Sequence, residues 1–591
     1  MLKKFLFNAL SSFVGAWIAI IIVIVGIILF ILGLTGSIIS SHIEQVKSHS
    51  VMKIVLGGSI QETETAPQLD YSLLLSGKIE QPQTLKNLTE ALNRAKTDNN
   101  IDAVFIECEG ASAAPATLDA LRNAVLDFKK SGKRVFAYGD NLTMGDYFVS
   151  TAADALYLNP DGNLDLQGLS GTTLYFKDLL DKIGVDVEMV RVGSFKSAIE
   201  PYTSNQMSEP AKMQLDSLYG EMWTYILRGI SEQRKVKSQT IDSLVNNLIF
   251  LDKASVAKEY KLIDNCLYHR QVIDEIANYV GSERKDLNFV SPTSVLGPQP
   301  YSSNKKDQIA VLYAVGDIAE FEGAGINCHE LVPLIVNLAE NEDVKGLVLR
   351  VNSPGGSVFG SQQIGEALDY FKSKGKPLAV SMGDYAASGG YWISAKADII
   401  YADPLTITGS IGIFGLVPNV SKLVDNLGIH PQTVSTNPGV MFPSIFYQMT
   451  EKQHEALQQN VERGYEMFVN RVAEGRHKSP EYIKSIAEGR IWNAIKAKEL
   501  GLVDMLGGLD NAVTWMTEKT KLPHPNIVSY PAPVVSILNL LANSNIQNND
   551  VKAITEKLTE KKVSTKVVSF IGNFLEQKHV QARSPYIMMS L

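Results

Sequence analysis

The chain has 591 residues, more than one ordinary hydrophobic core accommodates, so two large domains are the simplest division. A hydrophobic share of 45% against 20% charged residues describes a folded protein with one apolar insert and excludes a disordered chain. The net charge is −8 and no Lys/Arg block is interleaved with aromatics, which excludes a nucleic-acid-binding surface.

Lys3 and Lys4 precede a nearly unbroken apolar run from Phe13 to Leu34, with Trp17 near its start. A helix needs roughly 20 such residues to cross a bilayer. The run exceeds the roughly 7–15 residues of a cleaved signal, and no Ala-x-Ala site follows it. Residues 13–34 are therefore expected to be an uncleaved transmembrane anchor behind a cytoplasmic segment 1–12. The positive-inside rule then turns the bulk of the chain outward, into the periplasm of a bacterium.

A first α/β unit is expected over 50–290. Within it Lys196 lies in VRVGSFKSAIEPYT, which begins at Val190. A loop lysine is ordinarily solvated, yet this one follows Gly193-Ser194-Phe195 and precedes Ser197-Ala198, with little other charge before Glu200. A Pro/Ser/Asn-rich stretch, Ser291–Asn304, forms the linker (291–306) to a second unit over 307–530. There Asn352-Ser353-Pro354-Gly355-Gly356-Ser357 follows an apolar strand and precedes a helix. Its glycine amides can bind an oxyanion, or the glycines can simply serve a tight turn. Ser388 stands in GDYAASGGYWISAKAD, after Ala386-Ala387 and before Gly389-Gly390, with an amphipathic helix expected from Tyr391. A serine there is usually a helix cap, but its small neighbours also let a substrate backbone approach. Residues 531–591 form a tail with amphipathic helical patterns.

The two units are copies. DYFVSTAADALY (Asp146 to Tyr157) matches GYWISAKADIIY (Gly390 to Tyr401), pairing Tyr147 with Tyr391, Ala153 with Ala397 and Asp154 with Asp398 at one constant spacing. VFIECEGASAAP from Val104 resembles LVLRVNSPGGSV from Leu347, FKKSGK resembles FKSKGK, and ASVAKEYKLID resembles AIKAKELGLVD. Apolar β-branched runs such as Ile309–Val315 and Gly346–Val351 alternate with helical patterns, so the fold class is α/β, duplicated, with largely parallel sheets. The constant spacing carries Ser388 onto Met144 and Lys196 to the neighbourhood of Val440, where no lysine stands. Each unit has kept half of a pair.

No histidine falls in the repeated blocks, so a Ser-His-Asp triad has no support. A lysine can take a serine proton if burial lowers its pKa. Cys108, Cys266 and Cys328 suit neither a metal knuckle nor a disulfide framework, and no metal or cofactor is expected. Ser388 and Lys196 are thus candidates for such a pair, and the resemblance described next implies peptide hydrolysis through an acyl-enzyme at Ser388, with amides near Gly355, Gly356 and Gly389 facing the oxyanion and a buried dyad expected at the contact between units.

Through GSFKSAIEP, NSPGGS and DYAASGGYW, together with the anchor and the duplication, the chain closely resembles the signal peptide peptidase A family of the long bacterial type. The resemblance implies a Clp protease/crotonase-like fold for each unit, Lys196 as general base and Ser388 as nucleophile. It implies that Ser410, in TGSIG, contacts the lysine ammonium. It further implies peptide substrates, notably cleaved signal peptides, and a homotetramer on the bacterial inner membrane. Two other readings remain, a crotonase-like acyl-CoA enzyme and a non-catalytic membrane scaffold descended from the protease.

Overall fold

Gln308–Val315 reads QIAVLYAV and is buried along its length up to Ala314, as a strand covered on both faces must be. It belongs to a parallel array whose order is Asn526–Tyr530, Gln308–Val315, Val344–Ser353, Leu378–Ala387, Ile399–Ala402 and Met505–Leu506. The first half repeats this array strand for strand: Asn288–Val290, Ser50–Gln61, Ile101–Ser112, Arg134–Gly139, Ala155–Leu158 and Asn265–Cys266, again all parallel. The computed structural model describes residues 46–63, 83–297, 306–321, 325–437, 442–531 and 581–583, all within one compact unit. The expected anchor 13–34, the neighbourhood of Val440 and most of the tail lie outside the described residues. Among the described residues no helix is long and apolar enough to cross a membrane.

Side chains alternate across each sheet, so each half has two cores. In the first half Met52, Ile54, Val104, Ile106, Val135 and Ala137 point to one face, and Val51, Ala103, Phe105, Phe136 and Tyr138 to the other. The second face is covered by the helix His269–Val280, as Leu509–Thr520 covers the equivalent face of the second half. The covering helices follow local rules. In Leu85–Thr97, for example, Thr84 caps the first turn through Asn87 N (3.2 Å), and Leu85, Leu88, Ala91, Leu92 and Ala95 make the buried stripe.

The residues that match between the copies hold each unit together. The Tyr147 hydroxyl donates to Leu262 O (2.9 Å) and that of Tyr391 to Leu502 O (2.8 Å). Asp154 accepts from Val135 N (2.9 Å) and Asp398 from Leu378 N (2.8 Å). The strongest signature of the repeat is thus architectural.

The halves are not separate bodies. Asp186–Val192, from the first half, runs antiparallel to Ile413–Asn419, from Val192↔Ile413 to Asp186↔Asn419. Val190 joins the second-half core, while Leu405, Ile407 and Ile491 join that of the first. The helix Pro115–Lys129 has no cap from its own Ala114. Asp384 of the other half serves instead, accepting from Thr117 N and Thr117 Oγ1, both at 2.8 Å. Glu62 and Arg350 form a buried pair at 2.7 Å across the same contact.

Candidate active site

The strand Asp186–Val192 delivers Lys196 to the second half. Beyond Val192 the chain lies backbone to backbone on Glu488-Gly489: Phe195 N donates to Glu488 O (2.9 Å), and Ser194 Oγ to the Glu488 carboxylate (2.8 Å). Neither side has room for a Cβ. One on Gly193 would lie 2.4 Å from Glu488 backbone atoms, and one on Gly489 would lie 2.7 Å from Lys196 Cβ. Gln214, buried on the helix Glu209–Arg234, clamps the loop further. Its Nε2 donates to Phe195 O (3.0 Å) and Ser197 Oγ (3.1 Å), while its Oε1 accepts from Ile491 N (3.3 Å) of the second half. The Arg490 guanidinium lies over the rings of Phe195 and Trp492, at 5.0 and 4.2 Å.

So held, Lys196 is 0% exposed. Its Nζ lies 2.9 Å from Ser388 Oγ, 2.9 Å from Ser410 Oγ and 3.1 Å from the Ser410 carbonyl oxygen. None of these partners is a carboxylate. Burial therefore acts alone and holds the ammonium well below the usual lysine range.

Ser388 begins where the strand Leu378–Ala387 ends, with φ 56° and ψ −116°. A residue bearing a Cβ is strained there. Ser388 N donates to Gly409 O (2.8 Å) and Ser388 O accepts from Trp392 N (2.9 Å), which fixes the turn. The hydroxyl does not cap the helix that follows. The sharp turn aims it at Lys196 instead, which disposes of the helix-cap explanation. That helix runs Gly389–Ser394 and is buried on every side, so the amphipathic helix expected from Tyr391 is corrected: both sheet and covering helices enclose it. Ser410, at φ 51°, is positioned by its own N–H donating to Arg490 O (2.7 Å).

Gly389 packs on the NSPGGS turn, where a Cβ would stand 3.2 Å from Gly356 N and 2.5 Å from Ser361 Oγ. Gly356 and Gly389 thus adjoin each other, and Gly389 directly follows Ser388. The Gly355 amide is engaged elsewhere, donating to Ser353 Oγ (3.2 Å).

The same region of the first half is closed. Thr143 is an ordinary cap, accepting from Asp146 N (3.1 Å) ahead of Met144, the counterpart of Ser388. Asp146, at the position of Gly390, is buried and accepts from Gly110 N and Ala111 N, both at 3.1 Å. Its carboxyl group thus ties the helix Met144–Ser150 to the end of the strand Ile101–Ser112.

Residues 127–283 and 370–523 match the profile of Peptidase family S49, one stretch in each half. The chain belongs to Peptidase family S49. It is 35% identical over 452 residues to Protease 4 of Salmonella typhi, covering 75% of this chain and 73% of that protein. Protease 4 of Haemophilus influenzae is likewise 35% identical over 440 residues, 72% of this chain and 71% of the relative. A putative signal peptide peptidase SppA of Enterococcus faecium is 33% identical over 233 residues, which are 39% of this chain and 68% of that one. The protein is a serine protease of this family, and the acyl-CoA reading falls away.

Gln214, Glu488 and Asp146 escaped the sequence reading. Glu488 acts on the Lys196 loop from far along the chain, and Gln214 from the next long helix, with no motif linking either to the lysine. Asp146 was legible in principle, since an acidic residue there faces Gly390 in the other copy. His430 and His454, set aside in the sequence, pair with Asp425 (3.4 Å) and Met189 O (3.2 Å) instead of with Ser388.

Proposed function

We propose that Ser388 is the nucleophile and Lys196 the general base of a Ser-Lys peptidase. One observation carries this reading: Nζ of a lysine that has no counter-ion among the described residues stands 2.9 Å from Ser388 Oγ. A neutral amine has two N–H donors and one lone pair. The three neighbours of Nζ fit that inventory, with the Ser410 carbonyl and hydroxyl oxygens accepting and the Ser388 O–H donating.

In acylation Lys196 takes the Ser388 proton as Oγ attacks the scissile carbonyl. The negative charge on the carbonyl oxygen faces the amides of Gly356 and Gly389, and Gly355 plays no part because its N–H is committed. The Lys196 ammonium then protonates the leaving amine. Neutral again, it removes a proton from the water that releases the acyl group. Ser410 keeps Nζ on the line to Ser388 throughout.

The wider reading is a protease anchored through 13–34 in the bacterial inner membrane, its catalytic part in the periplasm, assembled as a homotetramer of Clp protease/crotonase-like units. Its substrates are signal peptides left after secretion and other membrane-derived peptides. The relatives called signal peptide peptidase and the apolar run behind Lys3 and Lys4 support it. The test is digestion of synthetic signal peptides by the wild type, Ser388→Ala and Lys196→Ala. Activity should fall at least a thousandfold in both variants, in the range seen when a nucleophile or its base is removed. Near-normal cleavage by Lys196→Ala would overturn the dyad.

A further inference from the structure

The contact between the halves brings two buried carboxyl groups together. Asp119 lies on the helix Pro115–Lys129 of the first half and Asp403 follows the strand Ile399–Ala402 of the second, and the two side chains are within hydrogen-bonding reach. Asp384 and Glu62 belong to the same contact. Among the described residues, the cations facing these four carboxyls are Arg350, which pairs with Glu62, and Arg122, whose Nη1 is 3.9 Å from Asp119 Oδ1, too far for a hydrogen bond. The other titratable groups there are Tyr225 and Tyr385, kept as phenols by burial, and Glu232, which faces Arg122. Asp119 Oδ2 accepts from the Tyr225 hydroxyl (2.9 Å) and Asn123 Nδ2 (3.0 Å), while its Oδ1 is buried with no donor but Asp403 in reach.

The repeat identifies that donor. The spacing that pairs Tyr157 with Tyr401 sets Asn159 opposite Asp403. Both make the same turn: Asn159 Oδ1 accepts from Asp161 N (3.0 Å), and Asp403 Oδ1 from Leu405 N (3.1 Å). The remaining polar atom of Asn159, its Nδ2, donates to an aspartate, Asp140, at 2.7 Å. Asp403 also faces an aspartate but has an oxygen in place of that amide nitrogen, and an oxygen donates only with a proton on it. We propose that Asp403 is a carboxylic acid at neutral pH, that it donates to Asp119 Oδ1 across the contact, and that the bond positions the catalytic pair, this last part resting on the Ser-Lys reading above. Asp119 keeps the negative charge because Tyr225, Asn123 and Arg122 support it. Burial, reinforced by that charge, holds the Asp403 carboxyl well above the usual carboxylate range.

From Asp403 the chain leads directly to the site. Its turn opens the strand Ile407–Gly409, whose Gly409 carbonyl accepts from Ser388 N (2.8 Å), and Ser410 follows. The first half, through Asp119, thus grips the strand that sets both serines around Lys196.

The experiment compares the full chain with its Asp403→Asn and Asp403→Ala variants. At pH 7 the infrared spectrum of the wild type should contain a carbonyl band of a protonated carboxyl group that Asp403→Asn lacks, and spectra identical in that region would overturn the proton on Asp403. Asp403→Ala leaves Asp119 Oδ1 without a donor and should lower kcat about tenfold with KM little changed, whereas a wild-type kcat would overturn the positioning role. Asp403→Asn puts an N–H where the O–H stood and should keep kcat within about twofold of the wild type. An Asn variant tenfold slower than the wild type would overturn the donor role, and this arm decides even if the alanine variant does not fold. Retention of activity by Ser388→Ala would instead overturn the assignment of the nucleophile, and the infrared comparison would still decide where the proton lies.

Discussion

Gly489 and Lys196 come from different halves, yet a Cβ placed on Gly489 would lie 2.7 Å from Lys196 Cβ and 2.8 Å from Lys196 N. The lysine is therefore aimed by backbone contact. Gly489→Ala must move the loop, and the φ of 77° at that position adds strain. A displacement near 1 Å at a catalytic group costs on the order of a hundredfold in rate. We expect kcat for peptide cleavage to fall by about that factor while far-UV circular dichroism is unchanged. A variant with wild-type kcat would mean that the loop accommodates the methyl without shifting Nζ.

Lys196 must be neutral to accept a proton, and burial holds its pKa well below the ordinary lysine value. Activity should rise with pH as the ammonium loses its proton, then level off below roughly pH 10.4, where a solvated lysine titrates. A profile of kcat/KM against pH checks this. A midpoint at the solvated value would contradict the buried base.

The same burial affects stability. The folded-state pKa of Lys196 is depressed below its unfolded value, so between the two the unfolded chain binds a proton that the folded one does not. Stability therefore rises with pH through that window, and the burial penalty is greatest on its acid side. Replacing Lys196 with methionine removes the penalty. Lys196→Met should melt above the wild type near pH 7, by roughly 2–4 °C for each kcal/mol recovered. The gap should narrow as the pH approaches 10, and a gap independent of pH would contradict the linkage.

Gln214 is a positioning residue that acts through Lys196. Gln214→Ala frees Phe195 O and Ser197 Oγ and loosens the loop from Ile491. We expect kcat to drop about tenfold with little change in KM, a typical cost for losing a buried hydrogen-bonding partner of about 1.5 kcal/mol. The midpoint of the pH profile should also move upward, because water admitted beside Lys196 stabilises its charged form. A merely structural role for Gln214 would leave that midpoint in place.

Much of this was legible in the sequence, for identifiable reasons. Parallel strands buried on both faces write themselves as apolar runs, and duplication prints each element twice. Tyr147/Tyr391 and Asp154/Asp398 could be matched because both copies need the same hydrogen bonds. Ser388 stood out as a non-repeated residue within repeated text, and Lys196 as a loop lysine among small residues with little other charge nearby. What the sequence could not disclose was contact between distant segments. The exchange of Asp186–Val192 onto the second-half sheet, the capping of Thr117 by Asp384 and the clamp at Gln214 are defined only in three dimensions. The amphipathic helix expected from Tyr391 failed because a short helix beneath a nucleophile is enclosed on all sides. The tail, read as helical, contributes a strand where it is described, since Gly355–Ser357 and Phe414 supply backbone partners that local propensity does not foresee.

Asp146 makes the division of labour between the halves hard to reverse. Its carboxyl group is spent on Gly110 N and Ala111 N, near the end of a strand, at the position that Gly390 holds in the other half. A Cβ on Gly390 would stand 2.7 Å from Ser353 O, so the aspartate of one copy does not fit the other and the glycine of the other would leave two amides of the first without their acceptor. The copies have become fitted parts that no longer substitute for one another.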